Sequence, residues 1–385
     1  MAEYPHIRVS GGPRERGRSY GEQARDRIAR SIAGYQEAFG YYAGWDWPRV
    51  RAEADRFADP IGAAYPDYLA EIRGIAEGAG VDFGDILAIN VRTEVMFAAR
   101  ARAASTMRAA PPAECTSFAL APTASATGAT LLGQNWDWLT HCFDTVVVLE
   151  AEQDGKPNFV TVVEAGLLAK AGLNSAGLGL CTNALVTDRD AGTPGLPYHV
   201  LLRAILDCET TTEALVVLQH GTRSSAANYL LGHADGSTVD VEAAPGDFTA
   251  LSVLHPERGL LVHANHFLAV PPGTVDYSLW AMPDSALRYG RARTLLEAAG
   301  PRPGREQIER VLADHAGYPS ATCCHPDPRE HPLEQGATVA SVLIEPAERR
   351  LWIADGNPCT ARFRRADYAQ FLAGDPARPS DQQRS

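Results

Sequence analysis

Residues 101–120 read Ala-Arg-Ala-Ala-Ser-Thr-Met-Arg-Ala-Ala-Pro-Pro-Ala-Glu-Cys-Thr-Ser-Phe-Ala-Leu. The first fourteen, 101–114, carry two adjacent prolines and no strand pattern, which predicts an exposed linker. The last six open a strand whose first residue is Cys115. A cut between Glu114 and Cys115 breaks no sheet hydrogen bond and leaves Cys115 with a free α-amine. Such an amine has an ordinary pKa near 8. It can therefore take the proton of the adjacent thiol, so that one residue supplies both nucleophile and base. The other reading of Cys115 is a buried strand cysteine that only packs.

The texture differs on the two sides of this junction. On the N-terminal side, residues 15–42 hold many helix formers and an apolar stripe that includes Ile28, Ile32 and Phe39. Further helices are predicted over 65–79 and 83–99, the latter with Asp82 as N-cap. On the C-terminal side the chain is strand-rich to about residue 270. Short apolar segments at 131–136, 145–150, 159–163, 178–182, 229–232 and 260–264 are separated by turn residues such as Asp154-Gly155 and Asp235-Gly236. Helices are expected at 198–207, 211–220, 285–299 and 307–315, and final strands at 338–345 and 351–355. Antiparallel strands with helices in separate blocks predict an α+β plan. The expected organisation is a helical segment 1–114 ending in the linker 101–114, a strand-rich segment 115–372 and a disordered tail 373–385, in one compact unit.

The chain has 385 residues, a net charge of −12 and 45% hydrophobic residues. That is enough for a large core. The acidic balance argues against nucleic acid and anionic membrane surfaces as partners. Seven cysteines at irregular spacing, with no Cys-x-x-Cys, point to neither a disulfide framework nor a zinc ribbon. Cys323, Cys324, His325 and His331 lack the usual ligand spacing, so no metal is expected. No secretory signal and no long apolar stretch are read, which predicts a soluble, cytoplasmic, reduced protein. The glycine-rich stretch 78–84 follows a helix rather than a strand and is not read as a phosphate loop.

The surroundings of Cys115 carry a family resemblance. Cys115-Thr-Ser-Phe, followed by Gly133-Gln-Asn-Trp-Asp137-Trp, resembles the acyl-coenzyme A:aminopenicillanic acid acyltransferases (isopenicillin N acyltransferases) and their hydrolase relatives. More distantly it is similar to the bile salt and penicillin V hydrolases. Further matches run in order down the chain: Asn174-Ser-Ala-Gly-Leu with Cys181-Thr-Asn183, His263-Ala-Asn265-His-Phe, Asp284-Ser-Ala-Leu-Arg288, Asp314-His-Ala-Gly-Tyr-Pro, and Asp355-Gly-Asn-Pro. The resemblance implies an N-terminal-nucleophile hydrolase fold, an αββα sandwich of two antiparallel sheets between helical layers. It implies self-cleavage between Glu114 and Cys115, giving α and β chains from one precursor, and acyl transfer or amide hydrolysis through a thioester on Cys115. Glu114 stands where the penicillin enzyme has glycine. An N-to-S acyl shift needs an accessible, strained carbonyl rather than a particular side chain, so Glu114 is compatible with cleavage.

By the same resemblance, Asp137 would hold the new α-amine and Asn265 would donate to the oxyanion. The negative oxygen of a tetrahedral intermediate otherwise goes unpaired in a dry site. Asn183 is either a second donor or a turn residue, and Arg288 either braces the nucleophile or faces solvent. Ser117, Trp136 and His266 are candidate pocket residues. No cofactor is expected. The expected partner is a small acylated amine or peptide, with an acyl-coenzyme A donor in the case of a transferase. Two other readings stay open. One is an uncleaved cysteine hydrolase with a histidine base such as His263 or His266. The other is a degenerate member that only binds an acyl amide.

Overall fold

The computed structural model describes residues 3–102 and 115–373. The linker expected at 101–114 is corrected at its start, where 101–102 still belong to a helix; 103–114, Glu114 included, lie outside the described residues, as does the tail expected at 373–385 apart from residue 373.

The first segment is helical apart from one strand. It runs β1 (His6–Val9), α1 (Pro13–Ala43), α2 (Trp47–Asp55), α3 (Ala58–Ala64), α4 (Pro66–Ala79), α5 (Phe83–Asn90) and α6 (Arg92–Arg102). α1 starts with Pro13, whose fixed φ suits a first helical turn, and stops at Gly44, which takes the left-handed conformation (φ 64°) that ends a helix cheaply only with glycine. α1 and α4 touch backbone to backbone. A Cβ added at Gly17 or Gly21 would meet Glu71 O at 2.1 Å or Ile75 O at 2.2 Å. One at Gly74 or Gly78 would meet Arg14 O at 2.2 Å or Arg18 O at 2.0 Å. Glycines four apart on both helices are what permits this approach.

The single helix expected over 83–99 is two. The break at Val91 follows from Asn90, whose buried amide donates to Ile86 O (2.9 Å) and Gly166 O (2.8 Å) and accepts from Leu168 N (3.0 Å). That side chain ties the helix end to the loop 165–170, which the site uses below.

The strands of the second segment are β2 (Cys115–Leu120), β3 (Leu131–Leu139), β4 (Val146–Ala151), β5 (Phe159–Glu164), β6 (Ala171–Asn174), β7 (Leu178–Ala184), β8 (Ala227–His233), β9 (Thr238–Ala243), β10 (Leu251–Leu254), β11 (Leu260–His263), β12 (Gly336–Glu345), β13 (Arg350–Ala354) and β14 (Arg364–Asp367). Its helices are α7 (Tyr198–Leu206), α8 (Thr211–Gln219), α9 (Ser278–Ala281), α10 (Ser285–Ala298), α11 (Arg305–Leu312) and α12 (Ala369–Leu372). The strands make two sheets, β1-β4-β5-β6-β7-β8-β9-β10 and β11-β2-β3-β12-β13-β14. All neighbours are antiparallel except β1, which runs parallel to β4 and adds an edge strand from the first segment. The expected plan of two antiparallel sheets holds, with that one parallel pair at the edge of the first.

Side-chain alternation sorts the core into three apolar layers. Along β4, Val147 and Leu149 face the helices with Ile28, Ile72, Ile75 and Ile89. Val146 and Val148 face the second sheet with Leu132, Val162, Leu230, Val342 and Ile344. On the far face of the second sheet, Phe118, Leu131 and Leu343 pack against Leu296, Ile308 and Val311 of α10 and α11. The result is helices, sheet, sheet, helices. Both faces of each sheet are covered, so most strands read as short continuous apolar runs rather than as alternating ones.

Candidate active site around Cys115

Cys115 is the first residue of β2, flanked by β3 and β11, with Cys115 opposite Trp136 and Ser117 opposite both Gln134 and His263. Its side chain points between the sheets and is 3% exposed. Its backbone nitrogen donates to Asn265 Oδ1 at 2.7 Å. Asn265 lies just past β11, where its own N–H donates to Ser285 Oγ (2.7 Å). Its Nδ2 donates to Ala184 O (2.9 Å), and Oδ1 also accepts from Arg288 (3.0 Å). Donors on one side and a carbonyl on the other fix which way the amide points.

Arg288 comes from the first turn of α10 and is 1% exposed. One guanidinium nitrogen donates to Cys115 O (2.7 Å) and Thr116 Oγ1 (3.1 Å), another to Asn265, and Nε pairs with Asp284. Its fork thus grips the peptide of the strand-initial residue from the face opposite the thiol, and the solvent-facing reading is excluded. Asp137 is buried next to Trp136, and its backbone N–H faces the Cys115 sulfur. Its carboxylate accepts from Thr338 Oγ1 (2.5 Å), which in turn accepts from Cys324 N (2.9 Å). The register of β12 shifts between Thr338 and Ala340, a bulge beside the site of the kind that re-aims a side chain.

Burial pushes the Cys115 thiol above its ordinary pKa, and the negative charge of Asp137 adds to this. Lys170, the Asp137 amide and Arg288 act the other way, Lys170 most strongly. Lys170 is not among the site residues expected from the sequence motifs. It sits at the end of the 165–170 loop, 4% exposed, with Nζ over the rings of Trp136 (5.1 Å) and Tyr198 (5.4 Å). Burial pulls its pKa down to about 8. A signal was available: the chain has only two lysines, Lys156 and Lys170, and Lys170 interrupts the apolar run Leu167-Leu-Ala-Lys-Ala. Lysine, unlike arginine, changes its pKa readily when buried.

Cys115, Trp136, Trp138, Lys170, Arg92 and Tyr198 line one cavity, closed by Met96, Phe97 and Met282. Of the three candidate pocket residues only Trp136 lines it. Ser117 is turned toward Asn183, whose Nδ2 donates to Ser117 Oγ (3.0 Å) and Ala264 O (2.8 Å). Asn183 therefore supports the β2–β11 edge, and its donors are engaged away from the cavity. His266 is held by Ser285 Oγ (2.8 Å) and packs edge-on against Tyr289. His263 has both ring nitrogens taken, by Glu242 (2.8 Å) and Ala264 O (2.7 Å). Burial opposes its charge, but Asp240 and Glu242 hold its pKa above the ordinary value. No histidine is among the described residues that line the cavity.

Two sheets stacked between helical layers match the αββα plan expected of the N-terminal-nucleophile hydrolase fold. Residues 124–360 match the family model for acyl-coenzyme A:6-aminopenicillanic acid acyl-transferase, and the chain belongs to that family. It is thus a member of a family of acyl-transferring or amide-hydrolysing enzymes. The matched stretch begins nine residues beyond Cys115. The chain is 28% identical over 362 residues to the 40 kDa form of acyl-coenzyme A:6-aminopenicillanic-acid-acyltransferase of Emericella nidulans, spanning 92% of this chain and 93% of that protein. Among solved structures, a variant of conjugated bile acid hydrolase from Clostridium perfringens aligns with TM-score 0.46 and 13% identity over 68% of this chain and 95% of that one. Penicillin V acylase from Agrobacterium tumefaciens aligns with TM-score 0.41 and 15% identity over 66% and 87%. No helix among the described residues is long and apolar enough to cross a membrane.

Proposed function

We propose that the protein is a precursor that cuts itself before Cys115 and then works as a cysteine amidohydrolase or acyltransferase on a small acylated amine or peptide. The observation that carries this reading is the capture of the Cys115 peptide unit, its nitrogen by Asn265 and its carbonyl by Arg288. A cysteine that only packs needs neither. In the processing step the thiol attacks the carbonyl of Glu114, the acyl group moves from nitrogen to sulfur, and water hydrolyses the thioester. This leaves a carboxylate on Glu114 and a free amine and thiol on Cys115.

In turnover the amine takes the thiol proton, the thiolate attacks the substrate amide, and the leaving amine carries the proton away. The resulting thioester passes its acyl group to water or to an acceptor amine. If the acyl donor is a coenzyme A thioester, the same thiolate attacks its thioester carbon and releases coenzyme A thiol. Asn265 Oδ1 holds the amine, and the Asn265 amide serves the oxyanion. Asp137 orients thiol and amine, and Lys170 favours the thiolate. The apolar walls from Met96, Phe97, Trp136 and Trp138 suit an apolar acyl group. His263 and His266 are engaged elsewhere, which supports the amine over a histidine as base.

Intact mass spectrometry tests the reading. Two chains summing to the precursor plus one water, with the second starting at Cys115, are expected from the wild type, and one uncut chain from Cys115→Ala. A wild type that stays whole yet hydrolyses acyl amides would overturn the processing step.

A further inference from the structure

We propose that His315, Cys323, His325 and Cys359 bind one structural Zn2+ ion. The four come from two separate parts of the fold. Residues 313–325 leave α11 and double back, held by Cys323 N to Asp314 O and His325 N to Pro319 O, both 3.0 Å. Cys359 sits in the turn after β13, closed by Ala361 N to Asn357 O (2.9 Å). The ligating atoms of all four residues lie within 4.8 Å of one another. His325 Nε2 is 3.0 Å from His315 Nε2, 3.5 Å from Cys323 Sγ and 3.4 Å from Cys359 Sγ. Zinc bonds of about 2.0–2.1 Å to nitrogen and about 2.3 Å to sulfur, set tetrahedrally, put neighbouring donor atoms roughly 3.3–3.8 Å apart. These three spacings need only small adjustments to reach that range, and the remaining donor pairs lie within 4.8 Å.

The donor set is chemically selective. Two thiolates and two neutral imidazoles suit zinc rather than the hard cations magnesium and calcium. Binding releases the two thiol protons and leaves a neutral cluster, so no net charge is placed beside the buried Cys323. Asn357 Nδ2 faces Cys323 Sγ at 3.7 Å and also donates to Cys324 O at 2.6 Å, a neighbour of the kind that steadies a metal thiolate. Four protein ligands leave no open position, so the ion would be structural. It would lock the loop after α11 to the turn after β13. From Cys324 N the chain of contacts continues through Thr338 to Asp137.

The sequence spacing hid this set. Two of the four residues singled out earlier, Cys324 and His331, do not take part. Cys324 points its backbone at Thr338, and His331 stacks on Tyr41 at 4.4 Å. His315 and Cys359, which do, lie 44 positions apart and are joined only by the fold.

The test uses the full chain without a metal-binding tag, purified without chelators. Elemental mass spectrometry should find about one zinc per chain. After chelator treatment, Co2+ titration should give the intense visible bands of tetrahedral cobalt and a thiolate-to-cobalt charge-transfer band. Cys359→Ser should weaken the charge-transfer band, and His315→Ala, at an exposed position where folding is not at risk, should weaken binding at least tenfold. Three results each overturn the proposal. One is wild type free of zinc that also gives no tetrahedral cobalt spectrum. Another is an unchanged spectrum in both variants. The third is a Cys323–Cys359 disulfide in freshly purified protein, seen as a mass lower by two hydrogens.

Discussion

The side-chain oxygen of Asn265 accepts the backbone N–H of Cys115 at 2.7 Å across 150 positions of sequence. The Asn265 amide is itself fixed, so the nitrogen of the proposed nucleophile is already held in the uncut chain. Asn265→Ala should lower turnover by about 10²–10³-fold, the range seen for lost oxyanion donors. The comparison must use protein already processed, since the same oxyanion forms during cleavage. Turnover within a few-fold of wild type would sink the assignment.

Lys170→Met removes a cation beside the thiol while keeping the length of the side chain. Burial already raises the Cys115 thiol, and Lys170 opposes it. The acid limb of the kcat/KM profile should therefore move to higher pH in the variant. Lys170 itself titrates at about 8, so the gap between variant and wild type should narrow above that pH. An equal loss at every pH would mean that Lys170 only fills space.

The amine can be blocked directly. Residues 1–114 and a second chain starting at Cys115 can be produced together, with the initiator methionine either removed or retained. Retention turns the amine into an amide, which accepts no proton near neutral pH, while the thiol with its ordinary pKa near 8.5 stays mostly protonated. The blocked form should be nearly inactive. Equal activity of the two forms, verified by mass, would restore a histidine base.

Asp207 makes acid stability measurable at one site. Burial works against its charge, but Arg203, Gln153 and Lys156 hold its pKa at about 2, below the ordinary 3.8. A depressed carboxylate stabilises the fold above its unfolded pKa, and the contribution is lost as pH falls from about 4 to about 2. The site is worth ~2 kcal/mol near neutral pH. Urea denaturation of Asp207→Asn should show a deficit of that order at pH 7 that shrinks below about pH 3. A deficit independent of pH would reassign Asp207 to packing alone.

The α+β plan was legible because periodicity is local. Helix α1 showed its stripe, and the central strands showed as apolar runs. Short strands such as β1, β6 and β14, four residues each, gave too little pattern to see. The split at Val91 depended on Asn90 reaching a loop 76 residues away. At the site, Cys115, Asp137, Asn265 and Arg288 came from ordered motifs, and the fold brings all four together. Ser117 and Asn183 point between the sheets as Cys115 does, but they bond to each other outside the cavity lining, and His266, past the end of β11, is held by Ser285; a motif does not record such partners. Lys170 belonged to no motif, and its signal was its rarity.

The parallel pairing of β1 with β4 gives the first segment a strand in the sheet of the second. Tyr4 of the first also donates to Val339 O of the second (2.5 Å), and α1 and α4 share their apolar layer with β4 and β5. A cut before Cys115 therefore leaves two pieces with one interior, and neither piece has a complete core to fall back on. Unfolding the cut form changes the molecularity of the return path. The uncut chain refolds by itself, whereas the two pieces must first find each other, at a rate set by their concentration. Maturation would thus act as a one-way gate, in which the protein assembles once as a single molecule and cannot easily be remade from its parts.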